Sequence, residues 1–100
     1  MALALRQRAP IARPRPQLFY CRPSGIFTAH DALVAQLRQE RDGELDIETL
    51  APHEAAHRLR TWVSATQPTL FVVRDGDILG VAIGPLARVE LEHLIRHVLT

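Results

Sequence analysis

One stretch of the sequence decides the fold: Pro68-Thr69-Leu70-Phe71-Val72-Val73-Arg74-Asp75-Gly76. Four consecutive apolar residues, 70–73, are typical of a short strand that is buried on both faces. The Asp-Gly pair that follows is a strong signal for a two-residue hairpin turn. A second apolar run, residues 78–83, comes directly after it. The stretch therefore predicts two antiparallel strands, which end where Gly84-Pro85 breaks the chain.

Two further strands are predicted before this hairpin. Residues 17–21 form an aromatic and apolar run that ends at the turn signal of residues 22–25. Within residues 45–50, Leu45 and Ile47 alternate with Asp46 and Glu48, which indicates a half-exposed strand. The first strand is thus expected inside the sheet and the second nearer its border.

Helical spacing of apolar residues follows each of these two strands and the hairpin. Thr28 or Asp31 is the expected N-cap of the first helix, and Pro52 is expected to open the second. The second helix is predicted to turn Trp62 toward the core. The third is predicted over residues 87–99, with Val89 among the residues available to the core.

The resulting order is β-α-β-α-β-β-α, an α/β fold. A βαβ unit requires parallel neighbours, whereas the hairpin makes the last two strands antiparallel. The prediction is a four-stranded mixed sheet with helices on both faces. It occupies residues 17–100, and residues 1–16 are a basic leader rich in Pro and Arg.

Composition limits the function further. The 100 residues suffice for one core, and the net charge is +1. The leader carries four Arg and no acid, whereas the body carries more acidic than basic residues, which argues against nucleic-acid binding. No apolar run is long enough to span a membrane. A single cysteine excludes an internal disulfide and a cysteine zinc cage, and it favours a reducing compartment, the cytoplasm.

The order and the residues resemble the thioredoxin family. The segment from Pro68-Thr69-Leu70 through the hairpin to Gly84 and a closing helix looks like the end of a thioredoxin, which begins with a cis-proline. Leu18-Phe19-Tyr20 is similar to the strand before the family's active site. The resemblance covers about residues 17–100 and implies a minimal thioredoxin fold.

The departures from the family pattern concern its chemistry. In a gapless register, the Cys-Gly-Pro-Cys of thioredoxins falls on Ser24-Gly25-Ile26-Phe27, so both thiols are missing. The acid that thioredoxins bury beneath the cysteines falls on Leu18. In this register Cys21 is a small buried residue at a strand end. The resemblance then implies a fold that has lost dithiol chemistry.

A second register stays open. Cys21-Arg22-Pro23-Ser24 reads as Cys-x-x-Ser, which would make Cys21 a catalytic monothiol at a helix N-terminus, with Ser24 beside it. The protein would then be a monothiol thiol-disulfide oxidoreductase. The two registers differ in one observable, which is whether the Cys21 sulfur is exposed next to Pro68.

The leading hypothesis is a protein-binding, chaperone-like or regulatory module. Its partner, a protein or peptide, is expected in the groove that the family forms beside its cis-proline. The expected lining is Tyr20, Gly25, Ile26, Phe27, Gln67, Pro68 and Gly84. The backbone of Gln67 is expected to pair with an extended segment of the partner. No cofactor is expected, and the oligomeric state is left open.

Two histidine pairs at i,i+4 spacing complete the candidates. His53-Glu54-Ala55-Ala56-His57 matches the His-Glu-x-x-His pattern of zinc peptidases. No third ligand follows, and Pro52 places His53 in the first helical turn. Both this pair and the pair His93 and His97 are therefore interpreted as solvated helix faces, and no metal site is predicted.

Overall fold

The elements of the computed structural model, which describes residues 15–84 and 87–99, follow the predicted order. They are β1 (Gln17–Cys21), α1 (Thr28–Glu40), β2 (Asp46–Leu50), α2 (Pro52–Leu59), β3 (Thr69–Arg74), β4 (Asp77–Ile83) and α3 (Arg88–Leu99). The sheet order is β2-β1-β3-β4. β1 is parallel to β2, whereas β1 with β3 and β3 with β4 are antiparallel. The predicted α/β fold with a four-stranded mixed sheet is confirmed.

The hairpin that decides the fold forms as the Asp-Gly pair predicts. Asp75 and Gly76 have φ values of 53° and 83°. Two successive positive φ values are what a type I′ turn requires, and such turns match the twist of the strands they join. β3, which precedes the turn, is buried at five of its six residues.

The two faces of the sheet carry separate apolar clusters. Alternate residues of β1 and β3 point to opposite sides, so Leu18 and Val72 face α1 and α3 while Phe19 and Phe71 face α2. Leu37 of α1 and Ile95 of α3 complete the first cluster. The helices therefore cover both faces, as expected.

The first residues of the described chain are already tied to the sheet. Pro16 is buried, and its carbonyl accepts a hydrogen bond from the Asp46 amide at 3.1 Å. Arg15 forms an exposed ion pair with Asp46 at 3.2 Å. The rest of the predicted leader, residues 1–14, lies outside the described residues.

Helix boundaries correct three expectations. α2 ends at Leu59 because Arg60 adopts a left-handed conformation with φ 53°, so Trp62 lies in the following loop and is 73% exposed instead of facing the core. Neither Thr28 nor Asp31 caps α1, since Phe27 occupies the N-cap position without a side-chain bond. Val89, in the first turn of α3, is 77% exposed.

The expected cis bond before Pro68 is wrong, because no peptide bond in the described ranges is cis. The chain reverses earlier, in a turn where Ser64 Oγ accepts hydrogen bonds from the amides of Thr66 and Gln67 at 3.3 and 3.0 Å. After that turn the trans isomer, which is intrinsically favoured by ~0.5–1 kcal/mol, brings Pro68 directly into line with β3.

Within the described ranges, no helix has the length and apolar character that crossing a bilayer requires.

Candidate functional site

The sequence-predicted site residues gather at one end of the sheet. Cys21, the last residue of β1, pairs with Leu50 at the end of β2 and with Thr69 at the start of β3. Thr69 pairs in turn with Ile83 at the end of β4. The loop of residues 22–27, the segment that leads into Pro68, and Gly84 therefore all leave the sheet at this end.

Arg22 holds the 22–27 loop in one conformation. Its Nε and Nη2 donate to the two carboxylate oxygens of Asp31 at 2.8 and 3.0 Å. Its Nη1 donates to the carbonyl of Pro23 at 3.2 Å, and Nη2 to that of Gly25 at 3.1 Å. The guanidinium also lies 5.5 Å from the centre of the Phe27 ring. A bidentate pair of this kind fixes geometry as well as charge.

Tyr20 of β1 belongs to the same cluster, because its side chain also bonds to Asp31. Its hydroxyl donates to Asp31 Oδ1 at 2.9 Å, and the residue is only 2% exposed. Burial and, next, the bond to Asp31 raise the pKa of the Tyr20 phenol above its ordinary value. The hydrogen bonds from Arg22 lower the pKa of Asp31. The cluster therefore combines a neutral phenol, a carboxylate and a guanidinium at neutral pH.

Glycine is required inside the loop. Gly25 has a φ of 132°, a region that is essentially confined to glycine. A Cβ there would also lie 3.3 Å from the Phe27 ring. The loop that results presents Ile26 to solvent with 90% of its surface exposed, while Phe27 is half-buried.

His30 connects α1 to the far side of the site. Its Nε2 lies 3.1 Å from the Gly84 carbonyl oxygen, and its ring meets that of Phe27 edge-on at 6.1 Å between centroids. The Gly84 amide donates to the Pro68 carbonyl at 3.0 Å. A continuous path of contacts therefore runs from Phe27 through His30 and Gly84 to Pro68.

Some of the predicted site residues are buried beneath the site, and others are exposed at its surface. Tyr20, Pro68 and Gly84 are buried, so they hold the site from within. Gly25, Ile26, Ser24 and Gln67 are exposed. The Gln67 amide is bonded to Ser64 Oγ, and its carbonyl accepts from the Thr69 hydroxyl at 3.4 Å, so its backbone is already paired where a partner strand was expected to bind.

Cys21 is directed away from this surface. It is 0% exposed and lies in the apolar cluster on the α2 side, with Leu50 and Val63 among its members. Its sulfur lies 3.9 Å from the carbonyl oxygen of Phe19. Burial raises the pKa of the thiol to about 11. Burial of this kind favours the protonated thiol at neutral pH.

The histidine pairs stay on helix surfaces. His53 and His57 are both exposed on α2, and His93 and His97 are exposed on α3. Within the described part of the chain, no group of three or more His, Cys, Asp or Glu side chains comes together.

Sequence reasoning missed Arg22, Asp31 and His30. From the sequence, Asp31 is predicted only as a helix cap. Asp31 is also the first acidic residue of the chain, and Arg22, which comes before it, stands directly after a strand. That charge pattern across a short loop is a signal for an ion pair. No comparable local pattern marks His30, because its partner Gly84 is distant in sequence.

A comparison with solved structures decides the fold family. The solution structure of desulfothioredoxin from Desulfovibrio vulgaris Hildenborough, in its reduced form, matches with a TM-score of 0.60. The match covers 84% of this chain and 82% of that one, at 17% identity. The chain has a thioredoxin-like fold. No family model and no curated protein matches the sequence. At this identity the likeness concerns the fold alone.

Proposed function

We propose that this thioredoxin-like chain is a protein-binding module without dithiol redox chemistry, and that its partner docks on the 22–27 loop. The observation that carries the proposal is Ile26, a large apolar side chain that is 90% exposed on a loop held by Arg22. The proposal keeps the predicted binding role and centres it on the loop residues of the predicted groove, away from the Gln67 backbone.

The first support is chemical. The loop that corresponds to the thioredoxin active site contains no thiol, and the one cysteine of the chain is buried beside it with its pKa raised to about 11. A monothiol mechanism needs an exposed thiolate, because the thiolate is the attacking species. Cys21 does not meet that requirement, so a binding role accounts better for the site.

The second support is the preorganisation of the loop. Arg22 bonds to two loop carbonyls as well as to the carboxylate of Asp31, and Gly25 adopts a conformation that suits only glycine. A loop that is already ordered loses little conformational entropy when a partner binds, so more of the contact energy appears as affinity.

The third support is the distribution of apolar and polar groups. Ile26 projects from the loop, and Ser24, Gly25 and Gln67 are exposed around this end of the sheet. An apolar anchor within a polar rim is the usual arrangement of a protein interface. The expected partner offers an apolar pocket for Ile26 and hydrogen-bonding groups at its rim. A lone buried cysteine fits a reducing compartment such as the cytoplasm.

A photo-crosslinking amino acid at position 26 tests the proposal in the native cell. We expect a small set of discrete adducts, which excess unlabelled wild-type chain competes away. Unlabelled Ile26→Asp protein should not compete, because a carboxylate cannot enter an apolar pocket. The matched control places the crosslinker at Val89, an apolar residue on α3 that is also largely exposed.

Two results would contradict the proposal. One is an adduct pattern at position 26 that is no different from the pattern at position 89. The other is competition by Ile26→Asp that equals competition by the wild type, which would mean that Ile26 is not the anchor.

A further inference from the structure

The two edges of the sheet differ in charge. At the β2 edge, Glu48 pairs with Arg58 at 2.7 Å, and Asp46 pairs with Arg15. β4, at the other edge, has one charged residue, Asp77, at its start, and the rest of the strand is Ile-Leu-Gly-Val-Ala-Ile. Charged side chains on an edge strand hinder pairing with another chain, and an apolar edge permits it. β4 is therefore the edge that can accept a further strand.

The last residues of β4 direct backbone groups away from the sheet. The Gly84 amide donates to the Pro68 carbonyl. Bonded and non-bonded pairs alternate in an antiparallel ladder, so the polar groups of Ala82 face β3, whereas those of Val81 and Ile83 face outward. The bulge in this ladder lies nearer the hairpin, so the alternation is regular here. The described part of the chain has no strand on the outward side, and the N–H and C=O groups of both residues can pair with one.

On the α2 side of the sheet, the end of β4 is apolar and accessible. The Val81 and Ile83 side chains, which share this face with Phe71, are 46% and 51% exposed. Residues directly opposite each other in neighbouring antiparallel strands point to the same face. A strand that pairs with Val81 and Ile83 therefore places its own side chains beside theirs, and apolar residues suit those positions.

On the other side of the sheet, β4 and α3 enclose a groove of about 560 Å³. Ala82 and Leu94 give it apolar surface, and Glu90, His93 and His97 are its polar residues. The Ala82 side chain points to this face and is small, so it leaves the groove open. In an added strand, the residue between two that face α2 points to this side as well, and its side chain enters the groove.

Charge complementarity specifies the side chain that suits this groove. Two other glutamates beside α3 already have partners: Glu92 pairs with Arg41 at 3.1 Å, and Glu40 pairs with Arg88. Glu90 is exposed and forms no ion pair or side-chain hydrogen bond within the described residues. An arginine can bond to a carboxylate through two N–H groups while its aliphatic stem lies on apolar surface. An arginine of the added strand therefore fits both the groove and its unpaired carboxylate.

We propose that β4 and α3 bind an extended segment of another protein in which apolar residues alternate with arginine. The segment pairs antiparallel with β4, so that its apolar residues lie opposite Val81 and Ile83 and its arginine reaches Glu90. Main-chain bonds then supply affinity, and the groove supplies specificity. A second copy of β4 contains no basic residue and would leave the carboxylate unpaired. This site is separate from the 22–27 loop and goes beyond the role proposed for that loop.

The probe is the fluorescently labelled, blocked peptide Val-Arg-Val-Arg-Val, whose binding to the full chain is followed by anisotropy. We expect saturable binding, with shifts in the NMR amide signals of Val81 and Ile83. A peptide with glutamate in place of arginine should bind about tenfold more weakly, because its carboxylates face Glu90. The two peptides share their length and alternation, so the comparison isolates the charge.

N-methylation of the peptide tests the main-chain pairing. The central valine lies opposite Val81 or Ile83, so its N–H points to β4, whereas the N–H of each arginine points away. Methylation of the valine nitrogen should raise the dissociation constant by about tenfold or more. Methylation of an arginine nitrogen is the matched control and should change it by less than about twofold.

Glu90→Gln is the matching variant in the chain. We expect it to weaken binding of the arginine peptide by about threefold to fivefold and to remove most of the preference over the glutamate peptide. Glu54→Gln is the control, because this exposed glutamate lies on α2 and its substitution changes the net charge equally. Ile26→Asp should bind the peptide as the wild type does, which separates this proposal from the one on the 22–27 loop.

The proposal would be overturned by the absence of binding, by equal binding of the two peptides, or by tolerance of the methylated valine. It would also be overturned if the amides of Val81 and Ile83 were protected from exchange before peptide is added. Protection that rises with protein concentration would identify a second copy as the occupant. Protection that does not depend on concentration would identify residues 1–14 of the same chain.

Discussion

At the scale of single residues, the site depends on Arg22. One guanidinium bonds to the Asp31 carboxylate and to the carbonyls of Pro23 and Gly25, and it lies over the Phe27 ring. The residue thus has a structural role at the end of β1, where it ties the loop to α1. The fixed loop in turn determines where Ile26 points.

Asp31→Asn tests the charge in this cluster. The pKa of Asp31 is lowered in the folded state by the hydrogen bonds from Arg22, so folding favours the carboxylate. Its contribution is present above the ordinary carboxyl pKa of about 4 and is lost as pH falls through the folded pKa. We expect the variant to melt at a lower temperature than the wild type at pH 7, with a difference that shrinks toward pH 3.

Asp46→Asn is the control, because the Arg15–Asp46 pair is largely exposed on both sides and such pairs contribute little. Thermal unfolding by circular dichroism across this pH range gives both comparisons. A constant difference between wild type and Asp31→Asn at every pH would contradict the role of the ion pair.

At the scale of elements, the strands and the start of α2 at Pro52 were predictable, whereas the N-cap of α1 and the end of α2 were not. The apolar run of β3 and the Asp-Gly turn are local signals, and both formed as expected. The end of α2 is set by the left-handed Arg60, and no Gly or Pro marks it. The Arg22–Asp31 pair and the His30 contact depend on tertiary placement, which no local pattern contains.

Gly25→Ala tests the shape of the 22–27 loop. The φ of 132° is unfavourable for alanine, and its Cβ would lie 3.3 Å from Phe27. We expect a loss of about 1–3 kcal/mol in the free energy of unfolding, measured by urea denaturation. Gly43→Ala is the control, because φ is also positive there but nothing lies within 4 Å. An equal or smaller loss at Gly25 than at Gly43 would show that the ring contact has no effect.

Trp62 reports on the end of α2, because it is the only tryptophan in the chain. With 73% of its surface exposed, it should fluoresce with an emission maximum close to that of free tryptophan in water. Acrylamide should quench it nearly as well as it quenches the unfolded chain. A blue-shifted, protected emission would mean that α2 continues and turns this residue toward the core.

At the scale of the whole molecule, one sheet presents two different surfaces. Its end carries the 22–27 loop with an exposed Ile26, and its edge strand β4 exposes the apolar side chains of Leu79, Val81 and Ile83. Because the two surfaces use different residues, each can be altered by substitutions that leave the other in place. The thioredoxin-like fold positions both surfaces, and Cys21 is buried in the core of that fold.

The reactivity of Cys21 toward a thiol reagent tests the central claim most directly, which is that the chain works by binding and not by thiol chemistry. With burial raising the pKa of the thiol to about 11, we predict negligible reaction of the native chain between pH 6 and pH 9. One equivalent should react promptly once urea unfolds the chain. Prompt reaction of one equivalent in the native state, with a thiolate that forms below about pH 7.5, would contradict the account and favour a monothiol enzyme.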